Sequence, residues 1–485
     1  MFELLFLATT LLFTACSVKE PSIVVPQTSD ITELSKTAND NFIDQNRASK
    51  DFFQKYFIPW NASKVSYPKI EAMWGHSYKF KKIYLENHQL ATPEWFDKQI
   101  DNSNFDEYNT NPKKAITLKN TNVRVLPTNS VMFYDPTQPG EGFPFDYNQN
   151  SLIKLNTPIM VSHLSKDRAW AYIESSNVGG WIEIGSLAFV SDRFINEFKT
   201  SDYYVSVKEK FPIYDPIFRE YVKVATIFPR KNNKFIIAKN DGNQNALISF
   251  IDLQEDEIEA MPLAFNTNNR IKLINQLLDE PYGWGGLLNN RDCSSFTQDF
   301  FAPFGKYLHR NSKAQISNGK FLDMSKLSIA EKKAFMKENG VPFSTLVYLK
   351  GHIMLYIGVK DNEPLVVHNM WSVRLKDDSG RKYRHIIGKA SITTLEPGKG
   401  MKDYDEDNNI LVINKPINLE VVGENSLTTL VHQKYPKQKP MPCHRLDRNT
   451  TGLVLFAKND TALNILFDKF KKHERKKSYT ALVYG

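Results

Sequence analysis

A glycine-rich loop followed by a cysteine constrains this chain more than any other feature. In Pro281-Tyr-Gly-Trp-Gly-Gly286 the glycines at 283, 285 and 286 open backbone conformations closed to other residues and let a ligand approach closely. The run Arg291-Asp-Cys-Ser-Ser-Phe296 comes just after it. Phe296, Phe300 and Phe304 recur every fourth residue, the stripe of an amphipathic helix, so Cys293 is expected at a helix start. There the free N–H groups and the positive end of the helix dipole favour a thiolate over a thiol.

An activated cysteine needs a base. Gly351-His-Ile-Met-Leu-Tyr-Ile-Gly358 reads as a strand with His352, Met354 and Tyr356 on one face. Leu365-Val-Val-His368 reads as a second strand that carries an orienting group for the first histidine. Cys293 as nucleophile, His352 as base and His368 as orienter satisfy the logic of a catalytic triad. The bland alternative is an inert core cysteine with two structural histidines. The glycine-aromatic loop before the cysteine and the two short apolar strands after it weigh against that.

These segments resemble the NlpC/p60 cysteine peptidases, whose pattern runs Y-x-W-G-G, D-C-S-x-F, then [SG]-H-[VI]-x-[LM]-Y-[LIV]-G and a third polar residue. The likeness covers about residues 265–395. It implies a papain-like domain, a nucleophile helix packed on an antiparallel sheet that bears the histidines. It also implies cleavage of peptidoglycan stem peptides between D-γ-glutamate and the following diamino acid, with no metal and no cofactor. By the same resemblance Tyr282 and Trp284 line the substrate pocket, and Asp292 and Ser294 hold the free amine of the stem peptide. Ser295 stands where the family commonly has glycine.

The rest of the chain predicts several modules. At 485 residues and 41% hydrophobic it is too long for one core. Its three cysteines (16, 293, 443) fall in separate regions and make no disulfide framework. Residues 2–15 form a short apolar run before Cys16 and read as a signal-peptide core. Leu-Phe-Thr-Ala-Cys16 resembles a lipobox, which implies lipidation of Cys16, attachment to a membrane through that lipid and a place in the cell envelope, facing the periplasm. Residues 17–45 are polar and read as a tether. Residues 46–112, rich in aromatic anchors such as Trp60, Trp74 and Trp95, resemble the helical N-terminal stabilising segment of multidomain members of the peptidase family; no chemistry is assigned to them. Residues 113–195 alternate in the β manner, and Asn122-Val-Arg-Val-Leu-Pro127 and Gly180-Trp-Ile-Glu183 resemble a bacterial SH3-like module. Residues 196–263 read as a second such barrel, and 264–395 as the peptidase. Residues 396–407, with the acidic run Asp403-Tyr-Asp-Glu-Asp407, read as a linker. The expected fold class is therefore α+β and multidomain.

Residues 408–485 change character. They hold 13 Lys and Arg against 6 Asp and Glu, nearly all of the chain's net +8. Cys443-His-Arg-Leu-Asp-Arg-Asn-Thr-Thr-Gly-Leu-Val-Leu-Phe-Ala-Lys458 resembles the H-R-L-D signature of RNA pseudouridine synthases, with Asn414-Lys-Pro416 and Lys477-Ser-Tyr479 as further pieces. That resemblance implies a partial α/β domain in which Asp447 attacks an extruded uridine, with Arg445 and Tyr479 against the RNA. RNA is a partner for this segment alone. Its shortness relative to that family implies an inactive RNA site, and the two ends of the chain point to different compartments, as in two neighbouring genes read as one. A non-catalytic wall-binding lipoprotein is the remaining alternative.

Overall fold

The computed structural model describes residues 28–471 apart from 326, 378–380, 400, 402–403, 405–409 and 437–438. Cys16, expected as a lipidation site, and Tyr479, expected against RNA, lie outside the described residues. The chain divides into two units, one running to Tyr404 and one from Asp405.

In the first unit the modules share one apolar core. Ile31 and Trp60 from the N-terminal helices, Ile116 and Ala188 from the first β module, Val205 and Ile236 from the second, and Phe296, Leu355 and Val367 from residues 264–395 all belong to it. Each module is too small to cover its own apolar faces, so its neighbours complete it.

The N-terminal segment is helical, with helices at Gln45–Tyr56 and Pro93–Asn102 begun by Asp44 and Thr92 as side-chain caps. The first β module is a seven-stranded antiparallel sheet within residues 113–189. The second has a five-stranded sheet and a two-stranded ribbon within residues 203–260. The region from residue 264 to 395 places the helix Cys293–Phe301 against a four-stranded antiparallel sheet: Leu346–Leu349, His352–Lys360, Glu363–Lys376 and Lys382–Thr394. The mixed α+β class is as expected.

Two connectors are not free connectors. The tether predicted for residues 17–45 contains the helix Thr28–Lys36, with Ile31 and Leu34 buried and Ser35 accepting from the buried Arg270. An apolar pair three residues apart gives one packed face, too short a period to stand out in a polar stretch. The linker predicted for 396–407 begins packed as well. Met401 is buried, and Tyr404 bridges to Leu375 and covers Gly398.

The second unit holds a three-stranded antiparallel sheet, with Gly452–Ala457 central between Ile410–Lys415 and Met441–Pro442, and helices Leu427–Lys434 and Asp460–Lys471. Lys415 is fully buried and donates to the carbonyls of Pro416, Leu419 and Arg448. Asp447 and Arg445 are exposed in the loop before the central strand.

Candidate active site

Cys293 is the first residue of its helix, and Asp292 caps it. The Asp292 carboxylate accepts from the Ser295 N–H at 2.8 Å, while the Ser295 hydroxyl returns to the Asp292 N–H at 2.9 Å, a reciprocal capping box. Serine at 295 thus closes the helix start, where glycine has no hydroxyl to offer. Phe296 and Phe300 are buried within the helix, and Phe304 is buried in the 3₁₀ turn that follows.

The glycine loop turns through positive φ at Gly285 and Gly286. Its glycines meet protein rather than ligand. A Cβ on Gly286 would stand 2.3 Å from Leu152 Cβ, and one on Gly285 2.5 Å from the Gln149 carbonyl. The close approach foreseen for a ligand is made to the first β module, whose Gln149 also donates to the Gly285 carbonyl. The loop rests on that module and aims Tyr282 and Trp284 into a cleft of about 460 Å³, lined also by Cys293, Asp292 and Ser294.

The two histidines come together as expected. His352 Nε2 lies 2.6 Å from His368 Nδ1, and His368 Nε2 lies 3.0 Å from the Thr393 hydroxyl. The helix that begins at Cys293 packs on the strand that begins at His352, and Cys293 opens on the cleft. With His352 Nε2 committed to His368, Nδ1 is the nitrogen left to take a proton.

Electrostatically the resting pair is neutral, against the thiolate expected from the helix terminus. Burial, with the Asp292 carboxylate adding to it, pushes the thiol up to about 12. Burial brings His352 down to about 4, and holds His368 well below the ordinary histidine value. The helix dipole acts in the expected direction but is smaller than the desolvation of a cysteine that is 7% exposed.

Asp292 and Ser294 are already engaged. Arg310 donates to both Asp292 oxygens at 2.8 and 3.1 Å and to the Ser294 hydroxyl at 2.9 Å. Gly285 N–H and the Ser294 hydroxyl add two more donors to Asp292. Burial opposes the ionised form, but Arg310 and these hydrogen bonds outweigh it and hold Asp292 below the usual carboxylate range. The sequence reading missed Arg310, whose neighbourhood has no motif. It also left the N-terminal aromatics as core, whereas Trp74 is 45% exposed and lines the cleft with Tyr67 and Glu71. Further round, Trp371 and Phe145 pack ring to ring near Tyr282.

Residues 279–385 match the family model "NlpC/P60 family", 5–108 "NLPC_P60 stabilising domain, N term", 132–183 "SH3 domain (SH3b1 type)" and 409–485 "RNA pseudouridylate synthase". A solved NlpC/P60 endopeptidase from Photobacterium damselae subsp. piscicida is 25% identical, with a TM-score of 0.68, over 73% of this chain and 86% of that one. The C-terminal segment is similar to the ribosomal large subunit pseudouridine synthase C of Buchnera aphidicola, 36% identical over 16% of this chain and 27% of that protein. It is also 38% identical to the dual-specificity RNA pseudouridine synthase RluA of Haemophilus ducreyi, over 18% of this chain and 40% of that protein. The chain thus spans well under half the length of these curated relatives.

Proposed function

From a chain whose residues 279–385 match the NlpC/P60 family, we propose a cysteine endopeptidase that cuts the D-γ-glutamyl–diamino acid bond of peptidoglycan stem peptides. The observation that carries this reading is the hydrogen-bonded series His352–His368–Thr393 beside a helix-capped cysteine in an aromatic cleft. Because thiol and imidazole are both neutral at rest, proton transfer accompanies attack. His352 Nδ1 takes the thiol proton as the sulfur bonds to the scissile carbonyl carbon. The same proton passes to the amine nitrogen as the C–N bond breaks, leaving a thioester. Water, deprotonated by His352, then releases the acid and restores the thiol.

The test is digestion of purified sacculi and of a defined muropeptide, followed by mass spectrometry. Cys293→Ala is expected to release no peptide while keeping the fold. Wild-type rates from that variant would end the proposal, and a non-catalytic wall-binding role would replace it. Export and lipidation at Cys16 belong to the same reading. Cys16→Ser is expected to shift the protein from the detergent phase to the aqueous phase on phase separation.

A second reading concerns residues 409–485 alone, on their likeness to pseudouridine synthases. Asp447 would then attack uridine, and tritium release from labelled RNA should disappear in Asp447→Asn. No release from the wild-type chain removes this reading.

A further inference from the structure

We propose that Thr393 is a positioning residue that sets the order of protons along the two histidines, so that His352 meets the thiol with a bare Nδ1. A threonine hydroxyl has one proton to give. The Thr393 hydroxyl gives it to the Thr394 carbonyl at 2.8 Å, so toward His368 Nε2, 3.0 Å away, it accepts. His368 therefore carries its proton on Nε2 and presents a lone pair at Nδ1. Across the 2.6 Å contact His352 Nε2–H is then the donor, and His352 Nδ1 is left unprotonated. The backbone carbonyl of Thr394 thus fixes, through one hydroxyl and one ring, the tautomer of a base three groups away.

The site makes this ordering firm. Thr393 is fully buried and His368 is 2% exposed, so water does not compete for their hydrogen bonds. Both strands are held in register there, with Val367 opposite Ile392 and His368 opposite Ser391. Thr393 therefore meets His368 as a diagonal neighbour on the adjoining strand. With the hydroxyl absent, His368 Nε2–H has no acceptor, and the alternative order, His368 donating from Nδ1, protonates His352 on the nitrogen that must act as base.

This inference deepens the thiol–imidazole reading above, and its test separates the two. In the full chain labelled with ¹⁵N-histidine, long-range proton–nitrogen spectra should show both histidines protonated at Nε2. Thr393→Val should move His368 toward the Nδ1–H form. It should also lower kcat on a defined muropeptide about 10- to 100-fold with KM little changed, the worth of one buried hydrogen bond left unmade. Thr393→Ser keeps the hydroxyl and should stay within a few-fold of wild type. A wild-type spectrum with His368 protonated at Nδ1 overturns the proposal even if the valine variant does not fold. So does a serine variant as slow as the valine one, which would make the role one of packing. If the wild-type chain cleaves no muropeptide, the spectra still decide the proton order while the substrate assignment falls.

Discussion

The Asp292 carboxylate and the Arg310 guanidinium are joined by two hydrogen bonds, Nη2–Oδ2 at 2.8 Å and Nη1–Oδ1 at 3.1 Å, immediately before Cys293 in the chain. The pair is nearly buried, at 12% and 11% side-chain exposure. It neutralises the charge that the family resemblance would offer to a substrate amine. Glu71, also on the cleft, is the acidic side chain there that remains exposed.

Breaking this pair from one side should be costly. Arg310→Met leaves an uncompensated buried carboxylate and is expected to lower stability by about 3–5 kcal/mol. The double change Arg310→Met with Asp292→Asn should recover part of that loss, since no lone charge is then buried. Urea unfolding of the three proteins measures the coupling. Additive losses would show that the two groups do not depend on each other.

The neutral thiol makes a kinetic prediction. With Cys293 pushed up to about 12, its thiolate fraction grows tenfold per pH unit across the accessible range. Iodoacetamide alkylation of the free protein should therefore still be rising at pH 10, where a free cysteine of pKa about 8.5 has levelled off. A rate plateau below pH 8 would mean a stored thiolate instead.

Acid should weaken the first unit. His352 is held neutral down to about 4, whereas the unfolded chain protonates it near 6.5. A base with a lowered folded value contributes stability that is complete above the unfolded pKa and is lost as pH falls through the window from about 6.5 to 4, at most roughly 3 kcal/mol for this ring. His368 acts in the same direction. So do Asp292 and Glu209, whose folded values are also lowered, though over a lower window set by their carboxyl values. The urea midpoint should drop between pH 7 and pH 4.5. An unchanged midpoint would place these rings in contact with water.

The Cys293 helix and both histidine strands were legible because period and spacing are local. The phenylalanine stripe from 296 set the helix, and alternation from 351 to 358 set the strand that carries His352. What stayed hidden depends on distant residues meeting. Thr393 follows His368 by 25 positions and matters only because the last two strands pair in one register. Arg310 meets Asp292 across 18 positions, and Trp74 reaches the cleft from another module. The sign of the thiol shift was hidden for a related reason. A helix start is visible in sequence, but the depth at which it is buried is not.

Gly286 tests whether the loop is shaped by the first β module. Its φ of +90° disfavours any side chain, and Leu152 Cβ occupies the space a Cβ needs. Gly286→Ala should cost about 1–2 kcal/mol in backbone strain and about 1–3 kcal/mol in overpacking, with activity falling as the aromatic wall shifts. Gly185→Ala, where nothing stands within 4 Å, is the control and should be nearly silent. Equal effects at the two sites would remove the packing argument.

A buried charge cluster ties the second β module to the start of the Cys293 helix. Arg291, two residues before Cys293 and 1% exposed, donates to both Glu209 oxygens at 2.8 and 2.7 Å and to Asp299 at 2.7 Å. Lys223 reaches Glu209 at 3.0 Å, and Lys154 pairs with Asp299. Burial works against ionisation of Glu209, but Arg291 and Lys223 outweigh it and hold its carboxyl far below the ordinary value, while burial brings Lys223 down to about 8. Glu209→Gln removes the central anion, leaves Arg291 and Lys154 sharing Asp299 and takes the carboxylate partner from the buried Lys223. The expected loss is about 3–5 kcal/mol. Because Arg291 also fixes the backbone that presents Asp292 and Cys293, kcat should fall with it. The exposed pair Lys208–Asp256, also in the second module, is the comparison, and Asp256→Asn there should cost at most about 1 kcal/mol. Similar losses at the two sites would mean that the cluster contributes no more than a surface ion pair, and that the second β module is held by its apolar contacts alone.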